Sequence, residues 1–356
     1  MKLWIKWVTT VLLLSVWGCS EGTSNFTDRS DNQAGEQQVV TKDKKVRPNK
    51  RQESTTSGEI YISVDRALKP AIEAELNSFL GTYDEATIHP IYLPGEEAIA
   101  AMIESDSIRI AIATRKLTEE EEDMLEIQHT FADYSTIGKE GIVLIANQNN
   151  PIDTLNAEQW RGIFSGELEN WKQISPQVGL KNISVVFDNN RSSAVRFLQD
   201  SVFEGKQIAG DNIFALDSAE AVMNYIKEND NAVGLLGFSW ISDWDDPKVR
   251  KIREGTKILA IGGVAVDSLC PYDIDAFRPY QTYLTTDCYP LIRTIYTIRR
   301  EITTGLGTGL VAYMAGPRGQ RILHKHGIAA IKGIPRQVRF PDKKGAKDPL
   351  KTKIAK

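Results

Sequence analysis

Residues 59–80, EIYISVDRALKPAIEAELNSFL, set the pattern for the rest of the chain. From Glu59 to Val64 apolar β-branched residues alternate with others, which is the two-residue period of a strand. Leu68, Ile72, Leu76, Phe79 and Leu80 then recur at helical spacing, so a strand feeds a helix and Ser63 and Asp65 stand at the turn between them. The order continues with a strand over 87–93, a helix over 96–103 and a strand over 108–113 that stops at Thr114-Arg115. Further strands are predicted at 141–146, 183–187, 232–236 and 258–261, and helices at 157–164, 192–203 and 219–228. Such alternation predicts an α/β fold with largely parallel sheets covered by helices on both faces. No repeat of fixed period runs through it. The roughly 274 residues from Gly58 to Ile331 suit two α/β lobes, with a ligand cleft between them beyond the strand ends.

Outside that body the chain changes character. Lys2 and Lys6 precede an apolar run from Trp7 to Trp17, too short to span a bilayer, which ends at Gly18-Cys19 and reads as an export signal. Val16-Trp17-Gly18-Cys19 resembles the lipobox of bacterial lipoproteins, whose cysteine is acylated; an ordinary secretory signal with an incidental Cys19 is the alternative. Lipidation would anchor the protein to the extracytoplasmic side of a bacterial membrane without a transmembrane helix. Residues 20–57 are polar and lack hydrophobic clusters, so they are expected to form a flexible tether with a reach on the order of 30 Å. Residues 332–356 form a basic tail, with 9 Lys and Arg against 2 acids. Residues 58–331 carry 25 Lys and Arg against 39 Asp and Glu, a net −14 that disfavours nucleic acid as a partner. An anion bound by such a body must be held by local geometry. Cys270 and Cys288 remain once Cys19 is set aside; they either pair, as an exported protein permits, or stay as two unrelated thiols.

Three segments place a polar turn between an apolar strand and a helix: Ile62-Ser63-Val64-Asp65, Ile112-Ala113-Thr114-Arg115, and Phe187-Asp188-Asn189-Asn190-Arg191-Ser192-Ser193. Free amides and the dipole at a helix start favour an anion, and Ser192 and Ser193 fall in the first turn of their helix. Arg191 or Arg196 could add a charge-assisted fork. Each turn taken singly is also explained by helix capping, and Arg115 by an ion pair with Glu119. Asp65 beside an anion is repulsive unless it accepts a hydrogen from that anion. Monohydrogen phosphate carries such a proton and sulfate does not, so an acceptor here would discriminate between them.

Longer segments carry a resemblance. LNAEQWRGIFSGELENWKQI (155–174), IRIAIATRKLTEEE (108–121), CYPLIRTIYTI (288–298) and AGPRGQRILHKHGIAAI (315–331) resemble, in order, segments of the phosphate-binding proteins of ABC uptake systems. That resemblance implies the two-lobed periplasmic binding protein fold of type II, with mixed, mainly parallel sheets. It implies lobes made of residues 58–146 with 289–331 and of residues 147–288, hinged near 146–151 and 285–289. It also implies a phosphate site with Ser63 and Asp65 in the first loop, Thr114 and Arg115 in the second, and Asn190, Arg191, Ser192 and Ser193 in the third. The third loop departs from the family's Ser-Gly-Thr box, which leaves the position of the guanidinium open.

Other chemistry is poorly served. His324 and His326 sit two apart on a helix and point in different directions, while His89 and His129 are isolated, so no metal site is expected. Gly237-Phe238-Ser239 does not complete a nucleophile elbow, and Gly305-Leu306-Gly307-Thr308-Gly309 lacks the Lys-Ser/Thr ending of a phosphate loop. Trp240 and Trp244 are assigned to packing between lobes. The expectation is therefore a monomeric, non-enzymatic solute-binding lipoprotein that needs no cofactor and presents inorganic phosphate to the transmembrane subunits of an ABC permease. The alternatives are a phosphate-recognising sensor or adaptor of a cell-envelope complex, or a binder of another oxyanion.

Overall fold

The structure is a computed structural model that describes residues 53–208, 210–263, 270–300 and 303–331. The signal, Cys19, most of the tether and the basic tail lie outside the described residues. The first half of the body runs β1 (Gly58–Asp65), α1 (Lys69–Leu80), β2 (Ala86–Leu93), α2 (Gly95–Glu104), β3 (Ile108–Ala113), α3 (Glu119–Ile127) and β4 (Asp133–Asn147). It continues through β5 (Thr154–Leu155), α4 (Ala157–Ser165), α5 (Trp171–Ile174), β6 (Ser184–Phe187), α6 (Ser193–Ser201), β7 (Ile213–Ala215), α7 (Ala219–Glu228) and β8 (Ala232–Gly237). The remainder is α8 (Pro247–Arg253), β9 (Thr256–Ile258), β10 (Ala260–Gly262), β11 (Ala276–Phe277), α9 (Gln281–Thr285), β12 (Ile292–Arg299), α10 (Leu306–Ala315), α11 (Pro317–Lys325) and β13 (Ala329–Ala330).

Among the described residues ten strands join in one mixed sheet whose main path is β2-β1-β3-β12-β4-β8-β6-β7. Both ends of that path, β2-β1-β3 and β8-β6-β7, are parallel, as alternating strands and helices require. The middle is antiparallel, because β4 and β12 carry the chain from one half to the other. Residues Asp133 to Gly141 of β4 pair with β12, whereas Ile142 to Ala146 pair with β8. The 15-residue β4 is much longer than the strand expected at 141–146; its first part reads as polar because Lys139 and Glu140 interrupt the apolar run.

Each half has helices on both faces. Ile60, Ile62 and Val64 of β1 and Ile110 and Ile112 of β3 pack with Leu68, Ile72, Leu310 and Leu323 on one face. Ala111 and Ala113 turn to the other, against Ile99, Met102 and Leu125. This is the strand alternation built from side chains of different size: small alanines let α2 lie close to the sheet. In the second half Val185 and Phe187 meet Trp160, Phe164 and Leu198, while Val186 meets Val222, Met223 and Ile226. Cys270 and Cys288 form a disulfide, with a Cα–Cα separation of 4.9 Å.

Glu53 lies against the body, accepting from Arg109 and from the Leu306 amide, both at 2.9 Å. The glycine-flanked start of α10 thus already holds a carboxylate of the chain itself, which is what free helix amides favour.

Candidate functional site

The turns after β1 and β3 converge with the start of α6. Asp65 is buried at the end of β1, where its Oδ1 accepts from the Ala67 amide at 3.0 Å and caps the short 3-10 helix 66–68. Thr114, one residue beyond β3, donates to Asp65 Oδ2 at 3.5 Å, and Ser193, the first residue of α6, also hydrogen-bonds the Asp65 carboxyl. Gly95, at the start of α2, covers this junction closely. A Cβ there would lie 2.8 Å from Ser193 Cβ and 3.3 Å from Asp65 Oδ2, so any larger residue would push the two halves apart.

The guanidinium at this end comes from Arg293, which the sequence reading passed over. Its Nη1 donates to Ser193 Oγ at 2.7 Å, and its Nε and Nη2 donate to Glu140 Oε2 at 2.9 and 2.6 Å. Both side chains are wholly removed from water. Arg293 and Glu140 are direct partners in the antiparallel β4–β12 register, at the point where β4 changes partner. Glu140 also accepts from the Ser239 amide at 3.0 Å, so its second oxygen is satisfied. Burial works against the charge on Arg293, but the carboxylates of Glu140, Asp65 and Asp188 outweigh it, and its pKa is raised. Burial also raises the pKa of Asp65, opposed by Arg293 and by its hydrogen bonds, and raises that of Asp188, opposed by a hydrogen bond from Ser192. Three carboxyl groups thus face one guanidinium. The electrostatics offer no surplus of positive charge here, so an anion would be held by directed hydrogen bonds, with Thr114 and Ser193 turning their hydroxyl protons from Asp65 to the anion beside Arg293, and Asp65 left free to accept the anion's own proton.

A cavity of about 470 Å³ opens from this end, bounded by Gly95, Thr114, Arg115, Ser193, Arg196 and Arg293 among others. The other expected site residues fall elsewhere. Ser63 is fully buried and gives its proton to the Ala98 carbonyl at 2.5 Å, which ties α2 to β1. Ser192 caps α6 through the Val195 amide. Asn190 is exposed, and Arg191, with a 70% exposed side chain, pairs with Glu97 outside the cavity. Arg196 at the rim pairs with Glu96 and Asp200, and Arg115 makes a two-point pair with Glu121, at 2.7 and 2.8 Å, rather than with Glu119. Glu121 is also the N3 residue of the Thr118 capping box, so one carboxylate both starts α3 and orients Arg115.

Arg293 did leave a trace in the sequence. In IRTIYTIR it shares the strand parity of Ile295 and Thr297, both buried, and a charged residue on the inward face of a strand calls for a partner. Its partner is 153 residues away, and nothing local points to it. Among the described residues no group of three or more His, Cys, Asp and Glu is arranged to hold a metal ion, and no helix is long and apolar enough to cross a membrane.

Comparisons with known proteins agree with this architecture. The phosphate-binding protein PstS of Staphylococcus aureus is 23% identical over 149 residues, which is 41% of this chain and 45% of that protein, so the match spans less than half the length of the relative. A Clostridium perfringens protein solved with bound phosphate superposes with a TM-score of 0.63 at 21% identity, over 77% of this chain and all of the other. An ABC-type phosphate transport receptor from Vibrio cholerae superposes with a TM-score of 0.56 at 16% identity, with the same coverage. At such identities the likeness is one of fold, that of two-lobed periplasmic binding proteins. Residues 49–318, well over half of the sequence, match the PBP superfamily domain, and the chain belongs to that superfamily.

Proposed function

We propose that this protein is an extracytoplasmic solute-binding lipoprotein, not an enzyme, that captures inorganic phosphate between its lobes and presents it to an ABC-type importer. The observation that carries the reading is the convergence of three donors on separate elements, Thr114, Ser193 and Arg293, which line the head of a cavity, with one buried acceptor, Asp65, directly behind Thr114 and Ser193. A hydrogen-bonding acceptor among donors suits an oxyanion that itself carries a proton. Similarity to a phosphate-binding protein, to a protein solved with bound phosphate and to a phosphate transport receptor supports phosphate as that anion. In this reading residues 58–146 with 289–331 form one lobe and 147–288 the other, closure brings Gly95 onto Ser193, and Cys19 carries the lipid that holds the monomer at the membrane.

The pairing of Arg293 with Glu140 favours a second reading, a sensor or adaptor of the cell envelope with weakened or altered anion binding, because the guanidinium is already neutralised. Calorimetric titration of protein stripped of carried-over anion, with phosphate and in parallel with sulfate, decides between them. Saturable phosphate binding with no sulfate heat is expected. Binding of neither anion would overturn the transport reading and leave the adaptor.

A further inference from the structure

A second cavity, of about 590 Å³, lies apart from the cleft and shares no lining residue with it. Its wall includes Arg253, Arg278, Lys257 and Lys325 together with Trp244 and Tyr280, and no carboxylate lines it. On a body with 39 acids against 25 bases, a concave surface whose charged lining residues are all cations runs against the prevailing charge.

The two arginines are held, not paired. Arg253 donates from Nη1 to the Ile241 carbonyl at 3.0 Å and stacks 3.7 Å from the centre of the Trp244 ring. Arg278 donates from Nε to the Ile258 carbonyl at 3.1 Å, which leaves both its Nη groups without an acceptor among the described residues. Neither guanidinium meets a carboxylate among the described residues, although both are half-buried, and burial lowers the pKa of Arg253. By contrast Lys257 pairs with Asp153 at 2.5 Å, and Lys325 with Asp243 and Asp245 at 3.3 and 3.4 Å. Anchoring by a backbone carbonyl fixes a guanidinium fork without cancelling its charge, which is how a preorganised oxyanion receptor is built.

The aromatic residues add a second requirement. Trp244, expected to pack between lobes, is 57% exposed, and Tyr280 is 54% exposed, whereas Trp240 fulfils the packing role by donating to the Ala67 carbonyl at 2.9 Å. Two exposed rings beside two unpaired guanidinium groups match a ligand with an anionic group and a flat body.

We propose that this cavity is a second ligand site, which takes a phosphate monoester of a planar heteroaromatic compound, the chemical class of a nucleoside monophosphate. The phosphate lies on Arg253 and Arg278, and the ring lies against Trp244 and Tyr280. The site is independent of what the cleft binds.

The test is calorimetric titration of the full chain in detergent with adenosine 5′-monophosphate, in the presence of saturating inorganic phosphate, with adenosine as the uncharged control. The expected result is saturable binding of the monophosphate and at least about tenfold weaker binding of adenosine, the effect of losing charge-assisted hydrogen bonds. Arg278→Ala should weaken the monophosphate at least about tenfold. Trp244→Ala, a change at an exposed ring that leaves the core intact, should weaken it about threefold or more. Absence of binding to the native protein overturns the proposal, as does binding that both variants leave unchanged, which would put the ligand elsewhere. If Arg278→Ala does not fold, Trp244→Ala alone decides.

Discussion

At the buried end of the cleft one guanidinium, Arg293, meets Glu140 with both side chains out of water, whereas Arg115 and Arg196 at the rim meet Glu121 and Glu96, and Arg191 outside the cavity meets Glu97, all within reach of solvent. The residue types are the same and the energetics are not. A buried ion has lost its hydration, so it depends wholly on its partner; an exposed ion regains water when its partner leaves. The rim pairs therefore shape the mouth of the cleft, and the buried pair sets both stability and the groups that an anion would meet.

The largest contrast should follow from Glu140→Ala. It strands the Arg293 charge in the interior, and chemical denaturation should show a loss of about 3–5 kcal/mol. A loss below about 1 kcal/mol would mean that water reaches this end of the cleft, and the contrast with the rim would collapse.

Glu75 sharpens the same point with a buried carboxyl that has no cation beside it. Both its side-chain oxygens are buried without a side-chain partner among the described residues, and burial, opposed by a backbone hydrogen bond near Leu323, raises its pKa to about 8 from 4.5. A carboxyl whose pKa is higher folded than unfolded stabilises the fold while protonated. Its contribution is full below pH 4.5 and is lost as pH rises through about 8. Denaturation midpoints of the native chain should fall across that window, and Glu75→Gln, neutral throughout, should remove that part of the slope. An unchanged slope would show that Glu75 is ionised and solvated.

Legibility in the sequence followed locality. Asp65, Thr114 and Ser193 could be read because strand-to-helix turns announce themselves within a few residues, and all three converge. The same rule points to Ser63 and Arg191, but packing directs one at a carbonyl of α2 and the other to the half-buried Glu97. Arg293 and Glu140 could not be paired from local pattern, because only the register of β4 on β12 brings them together. Lys139 and Glu140, which interrupt the apolar run of β4, concealed its full length and so the point at which the sheet passes from one half to the other.

Smaller effects should separate closure from chemistry. Gly95→Ala puts a methyl group 2.8 Å from Ser193 Cβ, so the α2–α6 approach must open, and phosphate affinity should fall about tenfold in calorimetry. Unchanged affinity would mean that the anion is held without that approach. Smallest of all, Arg191→Gln on the surface outside the cavity should change unfolding free energy by no more than about 0.5 kcal/mol, and a loss comparable to that of Glu140→Ala would erase the difference between surface and buried pairs.

The most direct measurement is the ratio of phosphate to sulfate affinity in the native chain and in Asp65→Asn, measured by calorimetry on stripped protein. A strong preference for phosphate is expected in the native chain. Asp65→Asn, which turns an acceptor into a group that can donate, should bring sulfate within about tenfold of phosphate. An identical ratio in the two proteins would mean that Asp65 does not face the anion and does not select for its proton.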